Sequence, residues 1–141
     1  MKKYSVLLVD DEEDVVKAIM QKIDWDGLGY SLLGYAKNGL EALEIAEEKQ
    51  VDVVLTDIKM PYMDGLTLSH KLKELYPSIK IVIFSGFDEF EYAKEAIRLE
   101  AEEYVLKPVD SGELSRIFRT VHERLDKEFD EKQNINHLKN Y

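Results

Sequence analysis

The chain has 141 residues, 45% of them hydrophobic and 34% charged, with a formal net charge of −10; that is one ordinary domain, able to bury roughly 68% of the surface it exposes unfolded. So acidic a surface repels phosphate backbones and anionic lipid, and no run of about 18 uncharged apolar residues offers a membrane span, so neither nucleic acid nor a membrane is expected to touch this segment. The absence of cysteine excludes a disulfide frame, a thiolate metal site and a cysteine nucleophile, and suits a reducing cytoplasm.

In chain order, short β-branched or apolar runs alternate with longer stretches whose apolar residues recur three and four apart. Tyr4–Val9 is the first run. It follows two lysines, but its apolar part is only Val6 to Val9 and stops on acids, too short for a secretion signal. The helical face Val15/Ile19/Ile23 comes next, then the run Ser31–Ala36 and the face Leu40/Leu43/Ile45/Ala46. Val51–Thr56 is followed by Leu66/Leu68/Leu72/Leu75, Ile79–Ser85 by Phe90/Ala93/Ile97, and Glu103–Leu106 by Leu114/Phe118/Val121/Leu125. From about Asp126 the apolar positions thin to Phe129, Ile135 and Leu138, interrupted by Lys, Glu and Asn. Residues 1–125 are therefore expected to form a domain, and 126–141 a frayed helical extension or the start of a linker.

Five strand–helix repeats with near-continuous apolar strands, such as SVLLV and IKIVIF, predict an α/β fold: a parallel sheet covered by helices on both faces. Right-handed crossovers put every strand's C-terminal end on one rim, where open sheets of this kind bind ligands. That rim receives Asp10 and Asp11 from VDDEE, Asp57 from LTD, Ser85 from FSG and Lys107 from LKP.

Taken alone, DDEED is an ordinary helix start, because acids cap free N–H groups and meet the positive end of the helix dipole. A third carboxylate delivered by another strand changes the weighing. Two unit charges 4 Å apart repel by about 4 kcal/mol at an effective dielectric of 20, and a divalent cation relieves that repulsion. All-oxygen donors without a D-x-D-x-D-G calcium loop favour Mg²⁺. Beside Mg²⁺, a carboxylate can attack phosphorus to give an acyl phosphate, while an ammonium neutralises the phosphoryl oxygens and a hydroxyl donates to them. Ser85 alone would be a strand-end hydroxyl and Lys107 alone an exposed lysine before a proline turn; their convergence with the acids carries the reading. Met60-Pro61 and Asp64-Gly65 read as a turn into a helix, with Asp64 as its cap and Gly65 supplying unusual backbone angles.

LLVDDEEDV, DVVLTDIKMPYMDG, IVIFSG and EYVLKPV, in this order and spacing, resemble the receiver domain of two-component response regulators over about residues 3 to 125. The resemblance implies a five-stranded doubly wound (βα)5 flavodoxin-like sandwich with strand order 2-1-3-4-5. It implies that Asp57 accepts a phosphoryl group from a sensor histidine kinase. Mg²⁺ would be held by Asp11, Asp57 and the backbone carbonyl of Lys59, with Asp10 in support nearby. Lys107 would pair with the phosphoryl group, Ser85 would hydrogen-bond it, and the rotamer of Tyr104 would couple to Ser85. The Lys107–Pro108 bond would be cis. Lys59 and Phe87 would flank the path of an attacking water and tune hydrolysis. Such a domain promotes its own phosphorylation and dephosphorylation without turning over an external substrate.

SGFDEFEYAKEAI and IDWDGLGY further resemble receivers fused to AraC-type helix-turn-helix transcription regulators, which would make this chain a fragment lacking a C-terminal DNA-binding module. The fourth helix, fifth strand and fifth helix, with Tyr92 and Tyr104 near the surface, are expected to switch on phosphorylation and to support weak homodimerisation. The kinase would dock on the first helix, Asp14 to Ile23, and the rim loops. A stand-alone receiver or phosphorelay domain is the alternative. An aspartyl-nucleophile phosphohydrolase would want a second Asp two residues after Asp57, where Lys59 stands, and a plain interaction domain would have no need of Asp11, Asp57 and Lys107 together.

Overall fold

Alternate residues of the first run face opposite ways, and the computed structural model, which describes residues 1–86, 90–108 and 110–139 and all of their side chains except those of 90 and 135–139, buries both sets. Tyr4, Val6 and Leu8 join one core cluster, Leu7 and Val9 a second on the other face of the sheet. The strands are β1 (Tyr4–Val9), β2 (Tyr30–Ala36), β3 (Val53–Thr56), β4 (Lys80–Ser85) and β5 (Glu103–Leu106), all parallel, in the order β2-β1-β3-β4-β5. This is the expected order, with helices on both faces.

The helices are α1 (Glu13–Lys22), α2 (Trp25–Leu28), α3 (Gly39–Glu48), α4 (Gly65–Leu75), α5 (Phe90–Arg98) and α6 (Ser111–Lys139). The expected fourth and fifth helices are thus α5 and α6, because α2 was not foreseen. Asp24 starts α2 by accepting from the Gly27 N–H, and Gly29 ends it at φ +89°, where a Cβ would meet the His122 ring at 2.4 Å. Trp25 on this short helix packs edge-on against Phe118 of α6, centroids 4.8 Å apart, and Tyr30 donates its hydroxyl to the Phe118 carbonyl at 2.7 Å.

Three helix-face assignments differ from expectation. Leu40 is 48% exposed, Leu75 62% and Ile97 78%. In α3 the buried line runs through Gly39, Ala42 and Ala46, and at α5 through Ala96 and Leu99. Small residues let these helices approach the sheet closely, and hydrophobic periodicity favours large side chains over the contact surface itself. The side chains of Phe90, Ile135 and Leu138 lie outside the description.

The last helix has 29 residues and passes Asp126 without a break, about 1.5 Å per residue and so roughly 20 Å beyond the expected end of the domain. Among the described residues no helix is long and apolar enough to cross a membrane.

Candidate functional site

The sheet ladder continues one residue past the ends of three strands. The Asp10 N–H donates to the Ala36 carbonyl (3.1 Å), that of Asp57 to Val9 (2.9 Å) and that of Lys107 to Ser85 (2.7 Å). These side chains therefore stand at fixed backbone positions on one rim.

One carboxylate oxygen from each of Asp10, Asp11 and Asp57 lies within 4.8 Å of the others. Asp10 and Asp57 are buried, and Asp11 is exposed. The Lys107 ammonium reaches into this group, 3.0 Å from Asp10 Oδ2, 3.3 Å from Asp57 Oδ2 and 3.3 Å from Glu12 Oε1, and lies 4.7 Å from the centroid of the Phe84 ring. The Glu12 N–H donates to Asp10 Oδ1 at 3.0 Å, and the Ile58 N–H to Asp57 Oδ1 at 2.8 Å. These donors fix the two buried carboxylates.

Burial pushes the Asp10 carboxyl above its ordinary range, and the charge of Asp57 adds to that; the Glu12 N–H and Lys107 oppose it without prevailing. Asp57 is likewise raised by burial against the pull of Lys107 and the Ile58 N–H. Asp11 is raised by partial desolvation in the wall of the site and by the charges of Asp10 and Glu12. Burial would depress Lys107, but its hydrogen bond to Asp10 and the charges of Asp57 and Asp10 outweigh that and raise it. One ammonium does not compensate this many carboxylates. A small hard cation bound by oxygen alone matches the donor set, so the residues present fit Mg²⁺.

The loop after Asp57 is built to clear the site. A Cβ on Gly65 would lie 1.8 Å from the Asp57 backbone oxygen, while the Gly65 N–H donates to the Ile58 carbonyl at 2.7 Å. Gly65 is needed for this close approach and not for unusual backbone angles, which fall to Tyr62 at φ +70°. Asp64 caps α4 by accepting from the Thr67 N–H at 2.7 Å.

Of the other singled-out residues, Ser85 is fully buried at the end of β4. Tyr104 is half-buried on β5 opposite Ile83. Lys59 is exposed, its ammonium 5.9 Å from the Tyr92 ring centroid. The Lys107–Pro108 bond is cis. Phe87 lies outside the described residues. Sequence reasoning missed Glu12 as a partner of Lys107, Thr56, whose hydroxyl donates to the Asp57 carbonyl at 2.9 Å, and Phe84 beneath the ammonium. Glu12 had a signal, as one more acid after the paired aspartates; the other two had none.

The sequence matches the family model described as the response regulator receiver domain over residues 6–119. An uncharacterized transcriptional regulatory protein YesN of Bacillus subtilis is 40% identical over 136 residues, covering 96% of this chain and 37% of that protein. The REC domain of AraT, a response regulator from Geobacillus stearothermophilus, superposes with a TM-score of 0.84 at 41% identity, covering 89% of this chain and 97% of that one. A two-component transcriptional regulator AraC from Clostridium phytofermentans gives 0.79 at 33% identity, covering 85% and 93%. The chain spans between 37% and 49% of the length of the curated relatives it matches.

Proposed function

Because this chain belongs to the response regulator receiver family, we propose that Asp57 accepts a phosphoryl group from a sensor histidine kinase, with Mg²⁺ as cofactor, and that the change is passed to a transcription output. The observation that carries the reading is Asp57 Oδ2 lying 3.3 Å from the Lys107 ammonium inside the three-carboxylate cluster. Asp57, oriented by the Ile58 N–H, forms the new P–O bond as the P–N bond of the donor's phosphohistidine breaks, and the released imidazole takes a proton from solvent. Lys107 follows the phosphoryl oxygens and neutralises them, and the Ser85 hydroxyl donates to one of them. Asp11, Asp57 and the Lys59 carbonyl, with Asp10 in support, would hold Mg²⁺, which would supply a further positive charge to the phosphoryl oxygens. Lys59 and Phe87 set how readily water reaches the acyl phosphate.

The kinase docks at α1, where a cavity of about 350 Å³ lined by Val15, Ile19, Ile23, Phe84, Pro108 and Leu114 opens beside Lys107. The switched face is α5–β5–α6, through Ser85 and Tyr104. Exposed Ile97 and Leu106 on that face support weak pairing of two copies there. The output is a DNA-binding module of AraC type joined beyond α6, and the protein works in the cytoplasm; a stop codon directly after Tyr141 in the parent gene would leave a stand-alone receiver instead.

Incubation with acetyl phosphate and Mg²⁺ followed by intact mass tests the acceptor. One phosphate is expected, absent in Asp57→Ala. No adduct at any Mg²⁺ concentration overturns the reading, and rapid multiple turnover of small phosphate monoesters would make the chain a hydrolase.

A further inference from the structure

At the end of the sheet opposite the acids, a second charged cluster grips α6 where the compact domain was expected to stop. Lys80, at the start of β4, is only 7% exposed. Its ammonium pairs with Glu128 of α6 and lies 3.7 Å from Glu102, the residue before β5, and Glu102 also pairs with Arg124 of α6. Lys73 faces the same cluster from α4, held below the ordinary lysine range by burial and by the charge of Lys80. The other flank of the helix is held as well. Tyr4 donates its hydroxyl to Asp126 at 2.6 Å, and His122 lies 3.3 Å from Asp126 through Nδ1 and 2.7 Å from the Lys2 carbonyl through Nε2. The Lys2 ammonium lies 4.4 Å from the centroid of the Phe129 ring. The roughly two turns from His122 to Phe129 are thus clasped from both sides, by groups far away in the sequence.

The same two strands carry both ends of this arrangement. β4 has Lys80 at its base and Ser85 at the rim, and Glu102 and Lys107 flank the four residues of β5. β4 and β5 pair in one ladder from near the base to the rim, a path along which a shift at the rim can reach the base. At the base, Lys80–Glu128 and Glu102–Arg124 are in contact, while Lys80 and Glu102 stand 3.7 Å apart. A shift of β4 or β5 away from α6 lengthens the two contact pairs.

We propose that the Lys80–Glu102–Arg124–Glu128 clasp couples the acceptor to the helix beyond the domain: phosphorylation of Asp57 displaces β4 and β5, loosens the clasp and frees residues 126–139. The proposal rests on the acceptor reading above. It makes Lys80 and Glu102 positioning residues for the start of the output connection.

Hydrogen exchange of the intact 141-residue chain, followed by mass spectrometry over 126–139 with and without acetyl phosphate and Mg²⁺, tests it, with the adduct counted on the same samples. In the wild type, exchange there should quicken about tenfold on phosphorylation while residues 111–120 stay protected. Glu128→Gln should exchange at the faster rate before any donor is added, respond little to it, and still take up phosphate to the wild-type extent. Arg124→Gln should do the same to a smaller degree, and Glu131→Gln, which removes the same charge three residues further on, should behave as wild type. An adduct with unchanged exchange overturns the clasp alone, as does a Glu128→Gln chain that keeps the full wild-type response. Absence of the adduct overturns the acceptor reading and the clasp with it.

Discussion

The two ends of the sheet are both charged, but in opposite senses of completeness. At the rim, Asp10, Glu12 and Asp57 share the single ammonium of Lys107, with Asp11 beside them. At the base, Lys80 and Arg124 pair with Glu102 and Glu128, with Lys73 facing the same two acids from α4. Burying a charge is tolerable when it is paired, so the base is a finished structural joint. The rim keeps an excess of negative charge, and burial holds its carboxylates above their ordinary range. Deficit marks the working end.

The comparison breaks most completely at Asp57. Asp57→Asn should abolish the Mg²⁺-dependent phosphate adduct seen by intact mass. In Mg²⁺-free buffer it should also raise the urea midpoint, because burial penalises the charged Asp57 carboxylate. A more stable but inert variant is the outcome that fits; a less stable one would mean that Lys107 already compensates the charge.

Mg²⁺ itself should stabilise the wild type by about 2.7 kcal/mol when present at a hundred times its dissociation constant, measured by urea unfolding, and should do nothing for Asp57→Asn at the same concentration if Asp57 is a required ligand. Gly65→Ala forces a methyl group against the Asp57 carbonyl and should cost about 1–3 kcal/mol. It should also slow phosphorylation by acetyl phosphate more than tenfold, because the acceptor's own backbone must move.

Protons probe the same deficit. The folded-state pKa values of Asp10, Asp11 and Asp57 are raised, so at pH values between their unfolded and folded values the native chain binds more protons than the unfolded one. In Mg²⁺-free buffer their penalty is fully present above the folded values and is relieved as pH falls through them toward the ordinary carboxylate range. Stability should therefore rise on mild acidification, before general acid unfolding sets in. Saturating Mg²⁺ should reverse that slope, since protons then compete with the ion. The smallest effect belongs to the base. Glu128→Gln removes one half-exposed partner and should cost less than about 1 kcal/mol, leaving phosphate uptake unchanged.

The rim was legible in the sequence because four of the strands end abruptly on a polar or charged residue: an apolar run followed by Asp10, Asp57, Ser85 or Lys107 needs no knowledge of packing. The five-strand alternation was legible for a related reason, since strands buried on both faces leave long apolar signatures. Faces of α3 and α5 were misassigned because Ala42, Ala46 and Ala96 bury little area yet decide where the helix touches. The short helix α2 was hidden by its Asp and Gly, which look like loop until Asp24 is seen to cap it. Gly65 was singled out for the wrong reason, because close approach to a carbonyl is a property of the fold and not of the residue's neighbours in sequence. The clasp was invisible: Lys80 and Glu128 are 48 positions apart, Glu102 and Arg124 are 22, and in the sequence all four read as ordinary surface charge.

The ladder bonds made by the Asp10, Asp57 and Lys107 amides have one further consequence. Segments that open separately do so because their backbone bonds are independent of the core, whereas these three continue the ladder of the sheet. Asp57, the proposed acceptor, is therefore expected to stay in place while the sheet survives. Loss of phosphate uptake on heating should therefore follow the single melting curve of the whole domain, with no milder temperature at which the protein is intact but silent.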